Sequence, residues 1–311
     1  MINLQNLVKD YGSLRAVDHI NFEIKEGEIL GFLGPNGAGK STTLKVITCF
    51  LAPTEGNIYV EDFNVLKDST KIRKMIGYLP EHNPLYTDMT VYDYLQFVAR
   101  VREIDDFKTR LKQVIDRCGL HGVISKPIHT LSKGYKQRVG LAQAIIHDPK
   151  ILILDEPTSG LDPNQIAEIR DLIKELGKEK TLIISTHILQ EVQAVCDRIV
   201  IINKGKIVAD GPTEELKSNF QSKTKVNLEL IAEAEEVTTI KDSIPGIKLL
   251  SINKKPDDIV GAVIEYGSGE DKRKEIYNYI KSKDWTLLEM HRDKISLEDV
   301  FRNLTIEEGG K

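Results

Sequence analysis

Residues 34–41 read GPNGAGKS, a glycine-rich turn with the spacing G-x-x-x-x-G-K-[ST]. An apolar stretch, ILGFL, precedes it, and KSTTLKVITCFL follows with apolar residues at helical spacing (Leu44, Ile47, Leu51). Strand, loop and helix in that order make a phosphate cradle. Gly34, Gly37 and Gly39 let the backbone turn tightly and aim successive N–H groups at phosphate oxygens. The helix behind adds the positive end of its dipole. Lys40 brings a point charge for the outer phosphates, and Ser41 offers a hydroxyl to Mg²⁺. Asn36 and Thr42 belong to the same expected binding surface.

Downstream, residues 151–157 read ILILDEP. An apolar strand ending in an acid is the expected partner of a phosphate loop. Asp155 is placed to hold Mg²⁺. Glu156 points differently, because side chains alternate along a strand, and is placed to activate an attacking water. Read without the loop, the same Asp-Glu-Pro is an ordinary helix start. A second apolar run, TLIIST (181–186), follows the amphipathic segment 164–179, which makes a βαβ unit. Strands are expected over 2–11, 19–27 and within 53–65. Residues of about 85–147 read as mostly helical, and 198–211 as a hairpin turning at Lys204-Gly205.

A polar stretch over 212–225 separates a second region. Its pattern is strand (226–232), helix (233–244), strand (248–255), strand (258–267), helix (271–283), strand (285–293), then a short terminal helix over 296–305. The order βαββαβ suggests a ferredoxin-like α+β unit. The chain has 311 residues, of which 41% are hydrophobic, so it has enough apolar side chain for two cores. Its net charge of −4 argues against a broad phosphate-backbone surface, and neither region is basic. Three separated cysteines (Cys49, Cys118, Cys196) make neither a disulfide framework nor a metal pair. No apolar run is long enough to cross a bilayer and no secretory leader is visible, so a cytoplasmic protein is expected.

The ordered set of motifs resembles the nucleotide-binding subunit of ATP-binding-cassette (ABC) transporters. GPNGAGKS resembles the Walker A loop, LSKGYKQR (131–138) the family signature, ILILDEP Walker B and SGLD (159–162) the D-loop. His187 in STHIL sits where the family has its switch histidine, and Tyr11 where an aromatic ring stacks on adenine. The resemblance covers residues 2 to about 220. Its GYLPE segment is similar to that of drug, lipid and gliding-motility exporters. It implies a P-loop α/β core with a helical subdomain over about 85–147, an ABC domain over 1–220, and an accessory α+β unit over 221–311. ATP and Mg²⁺ are the implied ligands. Ser132 and Gly134 are implied to bind the γ-phosphate of a facing subunit, in a homodimer or with another ABC subunit. Asp162 is implied to lie at that interface, and His187 to report the γ-phosphate. Each also has a bland reading: a capping or core histidine, a strand-end tyrosine, a helix-cap aspartate.

Two departures stand out. The family's usual Gln before the helical subdomain is Glu81 here, a further candidate for the nucleotide and the metal, or an exposed loop acid. Lys133 and Tyr135 replace the second glycine and the glutamine of the usual signature. The implied work is ATP hydrolysis at the cytoplasmic face of a membrane. It drives transport, with a lean towards export, through a separate polytopic permease. The alternatives are a cassette ATPase acting on ribosomes or nucleic acid, and a regulatory subunit without turnover. One cassette, no heptad run and an acidic second region weigh against nucleic acid. Glu156 weighs against the silent subunit. The second region is either a dimer-stabilising appendage or a sensor.

Overall fold

The computed structural model describes residues 1–219, 223–256, 258–267, 271–293, 301 and 304. It divides into two compact units, one holding Met1–Thr213 together with Leu304, the other spanning Glu214–Asn303. The sequence expectation put the boundary at 220/221. The helix that starts at Thr213 runs through that stretch to Asn219.

In the first unit the strands with the least polar sequence lie deepest. β1 (Ile2–Tyr11), β2 (Leu14–Ile24) and β3 (Ile29–Leu33) come first, and α1 (Lys40–Ile47) follows the glycine loop. Next are β4 (Glu55–Val60), β5 (Phe63–Asn64), α2 (Ser69–Met75) and β6 (Ile76–Leu79). The helical part holds α3 (Val91–Val101), α4 (Phe107–Cys118) and α5 (Lys133–Ile145). The unit closes with β7 (Ile151–Asp155), α6 (Pro163–Gly177), β8 (Thr181–Thr186), α7 (Leu189–Val195), β9 (Arg198–Asn203) and β10 (Lys206–Pro212). The central sheet has the order β10-β9-β3-β8-β7-β6, parallel except for the β10 edge. Every residue of β7 and β8 is buried, as in a sheet covered on both faces. A second, antiparallel sheet has the order β2-β1-β4-β5. One apolar cluster joins the two sheets, with Phe22 stacked on Phe32 at 5.6 Å between ring centroids.

Local chemistry sets the boundaries that periodicity missed. α1 stops at Ile47 and not at Leu51. The Thr48 hydroxyl donates back to Leu44 O at 2.9 Å, and Cys49 takes a left-handed φ of 58°. β2 begins at Leu14, five residues before the expected start at His19. α2, β6 and α7 are short elements of seven, four and seven residues, below the length at which a period is readable. Arg110 of α4 donates to the Ile145 and Ile146 carbonyls at 2.9 Å each, closing the C-terminal end of α5.

The second unit holds β11 (Lys223–Ile231), α9 (Ala234–Val237), α10 (Ile240–Ser243), β12 (Ile247–Lys254), β13 (Ile259–Gly267), α11 (Arg273–Ser282) and β14 (Thr286–Asp293). α8 is the helix Thr213–Asn219. The sheet is fully antiparallel, in the order β12-β13-β11-β14, the ferredoxin-like arrangement. Its inward face (Val226, Leu228, Val260, Ile264) meets Val237, Ile240, Ile276 and Ile280 from the helices. The single helix expected over 233–244 is two short ones. Thr238 and Thr239 sit between them, and their hydroxyls donate to Glu235 O and Glu236 O at 2.6 Å. The terminal helix expected over 296–305 lies outside the described residues except at Phe301 and Leu304.

Candidate functional site

The glycine loop leaves the end of β3 and enters α1 through Gly39, which caps the helix at φ 109°. A side chain there would be strained and would also meet Ala16 O at 2.6 Å. A Cβ at Gly34 would lie 2.4 Å from Ile202 O. These two glycines are therefore demanded by backbone packing. Lys40 is 6% exposed and folds over the loop, donating to Gly34 O at 2.7 Å and Pro35 O at 3.2 Å. Its ammonium stands 3.5 Å from Glu156 Oε1.

β7 and β8 end side by side and bring the acids to the loop. The Ser41 hydroxyl donates to Asp155 Oδ1 at 3.1 Å, and the Ser185 hydroxyl donates to the same oxygen. Burial pushes the Asp155 carboxyl above its ordinary range. The two serine hydroxyls oppose that rise, while the Glu81 and Glu156 charges add to it. Such a carboxylate gains from a cation. Ser41, Asp155 and Glu81 are hard oxygen donors of the kind Mg²⁺ prefers. No cluster of three His, Cys, Asp or Glu set to hold a metal occurs among the described residues. Mg²⁺ is commonly held by one or two carboxylates and completed by phosphate and water.

Glu156 is buried at a left-handed φ of 49°. Its N–H donates to Ser185 O at 3.0 Å and to Ser185 Oγ at 3.2 Å. Its carboxylate lies 2.9 and 3.1 Å from His187 Nδ1. A non-glycine residue held in that region costs of order 1–3 kcal/mol and persists only where its surroundings fix it.

These groups line one cleft of about 510 Å³. It collects Tyr11, Asn36, Gly37, Gly39, Lys40, Ser41, Thr42, Glu81, Glu156 and His187, with Ser159 added. Tyr11 stands at its lip, 47% exposed, with Leu14 and Ala16 beside it. Gly34 and Asp155 lie directly behind, through their contacts with Lys40 and Ser41.

Ser132, Gly134 and Asp162 do not line the cleft. Ser132 caps α5, its hydroxyl accepting from Tyr135 N at 3.4 Å. Gly134 is buried, and a Cβ there would meet the Gln165 side chain at 2.7 Å. Asp162 caps α6, accepting from Asn164 N and Gln165 N at 3.0 Å each. Within this chain the bland reading of Asp162 is realised. Ser185 was missed from the sequence, although it ties Asp155 and the Glu156 backbone together. Its only signal is a hydroxyl at the end of an apolar strand, TLIIST, next to His187.

Known proteins resemble this chain in sequence and in fold. The ABC transporter family profile matches residues 17–159. The ABC transporter ATP-binding protein YxlF of Bacillus subtilis is 35% identical over 303 residues, covering 97% of this chain and 98% of that protein. The bacitracin transport ATP-binding protein BcrA of Bacillus licheniformis is 40% identical over 219 residues, 70% of this chain and 71% of that protein. Among solved structures, the dimeric post-hydrolysis state of the ATP-binding cassette MJ0796 bound to ADP and Pi superposes with a TM-score of 0.64. It is 28% identical and covers 68% of this chain and 98% of that one. With near full-length similarity to YxlF and these motifs gathered in one cleft, this chain belongs to the ATP-binding proteins of the ABC transporter family.

Proposed function

We propose that this chain hydrolyses ATP as one of a pair of cassettes and drives transport through a separate membrane permease, in the export direction, from the cytoplasmic face. The observation that carries the reading is the meeting of Lys40, Ser41, Asp155, Glu156 and His187 at one cleft, while Ser132 and Gly134 of the same chain lie outside it. The cleft is half of a composite site. Either a second copy or another ABC subunit supplies the other half, so Ser132 and Gly134 of each cassette complete the site of its partner, with Asp162 at the interface. The bacitracin transport relative supports a role in transport, and the GYLPE segment carries the lean towards export. No helix among the described residues is long and apolar enough to cross a membrane; on this reading a separate polypeptide provides the permease. On the same reading Glu214–Asn303 is an accessory or regulatory unit, and no nucleic acid takes part.

The chemistry follows from the geometry. Tyr11 offers its ring to adenine. The loop N–H groups and Lys40 hold the phosphates, Lys40 exchanging the Gly34 and Pro35 carbonyls for phosphate oxygens. Ser41 and Asp155, with Glu81 nearby, would hold Mg²⁺, which when bound would neutralise charge on the phosphates. Glu156 accepts the proton of the attacking water, and His187 holds the carboxylate in line through Nδ1. Lys40 stabilises the charge that develops on the transferring phosphoryl group.

The test is capture of the tagged Glu156→Gln chain with ATP from detergent-solubilised native membranes. Recovery of a polytopic membrane protein in near-equal amount is expected. Recovery of ribosomes or nucleic acid with no permease would overturn the transport reading and leave the hydrolysis.

A further inference from the structure

Glu191 is absent from the set of residues read from the motifs, and it does not line the cleft. It lies in the first turn of α7, one turn beyond His187. Its two carboxylate oxygens accept from two different segments. The Thr158 hydroxyl donates to Oε1 at 2.5 Å, and the Thr186 hydroxyl donates to Oε2 at 2.9 Å. Thr158 is two residues after Glu156, and Thr186 immediately precedes His187. Both threonines are buried, Thr158 at 5% exposure and Thr186 at 0%. One side chain thus bridges the two segments whose meeting makes the Glu156–His187 contact.

We propose that Glu191 is a positioning residue that staples the Glu156 segment to the His187 segment and so aligns the base for hydrolysis. This role rests on the assignment of Glu156 as base. The need for a staple comes from the backbone. Glu156 is left-handed, and the strain relaxes unless the residues after it are fixed. Gln137 of α5 anchors that stretch from one side, donating to Pro157 O at 2.8 Å. Glu191 anchors it from the other, at Thr158. Thr186 also accepts from Ile188 N at 3.0 Å, so the hydroxyl that Glu191 orients is the one that shapes the turn around His187. A first-turn acid steadies a helix by its charge alone. The carboxylate here does more, since both oxygens are spent on hydroxyls outside α7.

The distinction is measurable in the full chain, from kcat, KM and ATP affinity of Glu191→Ala and Glu191→Gln, each alone and with His187→Ala. Glu191→Ala is expected to lower kcat by about 10- to 100-fold, the scale of a misplaced reacting group, with KM and ATP affinity held within about twofold. Glu191→Gln should keep most of the rate. Its carbonyl accepts one hydroxyl and its amide donates to the other, so both arms survive the loss of charge. In the His187→Ala background, removing Glu191 should cost less than about twofold, because the two act as a unit. Full kcat in Glu191→Ala overturns the proposal. So does an equal loss in both backgrounds, or a loss matched by weaker ATP binding. Should Glu191→Ala fail to fold, Thr158→Val and Thr186→Val each cut one arm, and undiminished kcat in both overturns it equally. Glu156→Gln run alongside separates two failures. Full turnover there removes the base itself, whereas loss there with full rate in Glu191→Ala removes only the staple.

Discussion

The two units bury different kinds of side chain. The first takes Lys40, Gln137, Asp155, Glu156, Ser185 and Thr186 out of solvent beside its apolar core. In the second, the buried polar side chain among the described residues is Thr224, and the charged groups stay outside. Removing charge from water is expensive unless it is paired. The first unit meets that expense with ordered partners: Asp155 on two serine hydroxyls, Glu156 on His187 and Lys40. The second meets none and has none to meet. Its core of Val226, Leu228, Ile264, Ile276 and Trp285 is a packing solution, with the Trp285 indole N–H donating to Glu236 Oε2 at 3.2 Å. Chemistry is therefore sought where the fold works against its own solvation.

The largest effect expected from this contrast is at Glu156. Glu156→Gln keeps the shape and removes the base, so hydrolysis should fall by about 10²- to 10⁴-fold, while ATP binding and ATP-dependent pairing of cassettes persist. Steady-state turnover with nucleotide titration and sedimentation measures both. Unchanged turnover would show that the buried acid is structural, and the contrast between the units would collapse.

The second unit should answer differently. Ile264 of β13 is fully buried in a cluster of its own. Ile264→Ala should cost that unit about 2–5 kcal/mol through lost burial and a cavity. The loss should appear in a separate melting transition. Hydrolysis at 25 °C, measured below that transition, should stay at the parent rate. If turnover instead falls with the unfolding of the second unit, the first depends on it.

Tyr11 is the next test, since it is the one exposed aromatic at the lip of the cleft. Tyr11→Ala should weaken ATP binding by about 1–3 kcal/mol, the usual worth of a base stacked on an aromatic ring. It should leave kcat at saturating ATP near the parent value. An affinity equal to the parent in isothermal titration would make Tyr11 a strand-end residue and nothing more.

What was legible from sequence follows the same divide. GPNGAGKS, ILILDEP and STHIL carry their chemistry in contiguous residues, and the parallel order of β3, β7 and β8 brings them together. The order of elements along the second unit was readable because its short apolar runs, such as IVGAVIEYG of β13, are separated by polar or helix-patterned stretches. Ser185 and Glu191 were not readable. Each is an ordinary residue whose role depends on register: Asp155 pairs with Ser185 across β7 and β8, and Glu191 meets Thr158 across 33 positions. The break between α9 and α10 was hidden because two threonine hydroxyls, not a glycine or proline, make it.

The smallest effect expected concerns a buried group of the first unit that the cleft does not use. His147 donates through Nε2 to Ile76 O at 3.1 Å, and its Nδ1 has no partner. Burial lowers its pKa to about 4, with Arg102, Arg110 and Lys180 adding repulsion for the charged ring. The unfolded chain protonates this histidine near its ordinary pKa of about 6.5, while the folded chain stays neutral until about pH 4. Between those values the unfolded state binds more protons, so stability present above pH 6.5 is lost as the pH falls towards 4. Allowing for the solvent that reaches the ring, the loss from this one site is on the order of 1 kcal/mol. His147→Gln keeps a donor for Ile76 O and removes the titration. Denaturant midpoints from pH 7 to 4 should therefore fall less steeply in His147→Gln than in the parent. Parallel pH profiles would show that the ring takes up its proton as readily in the folded chain as in the unfolded one, so that burial in the first unit carries no charge penalty at this site.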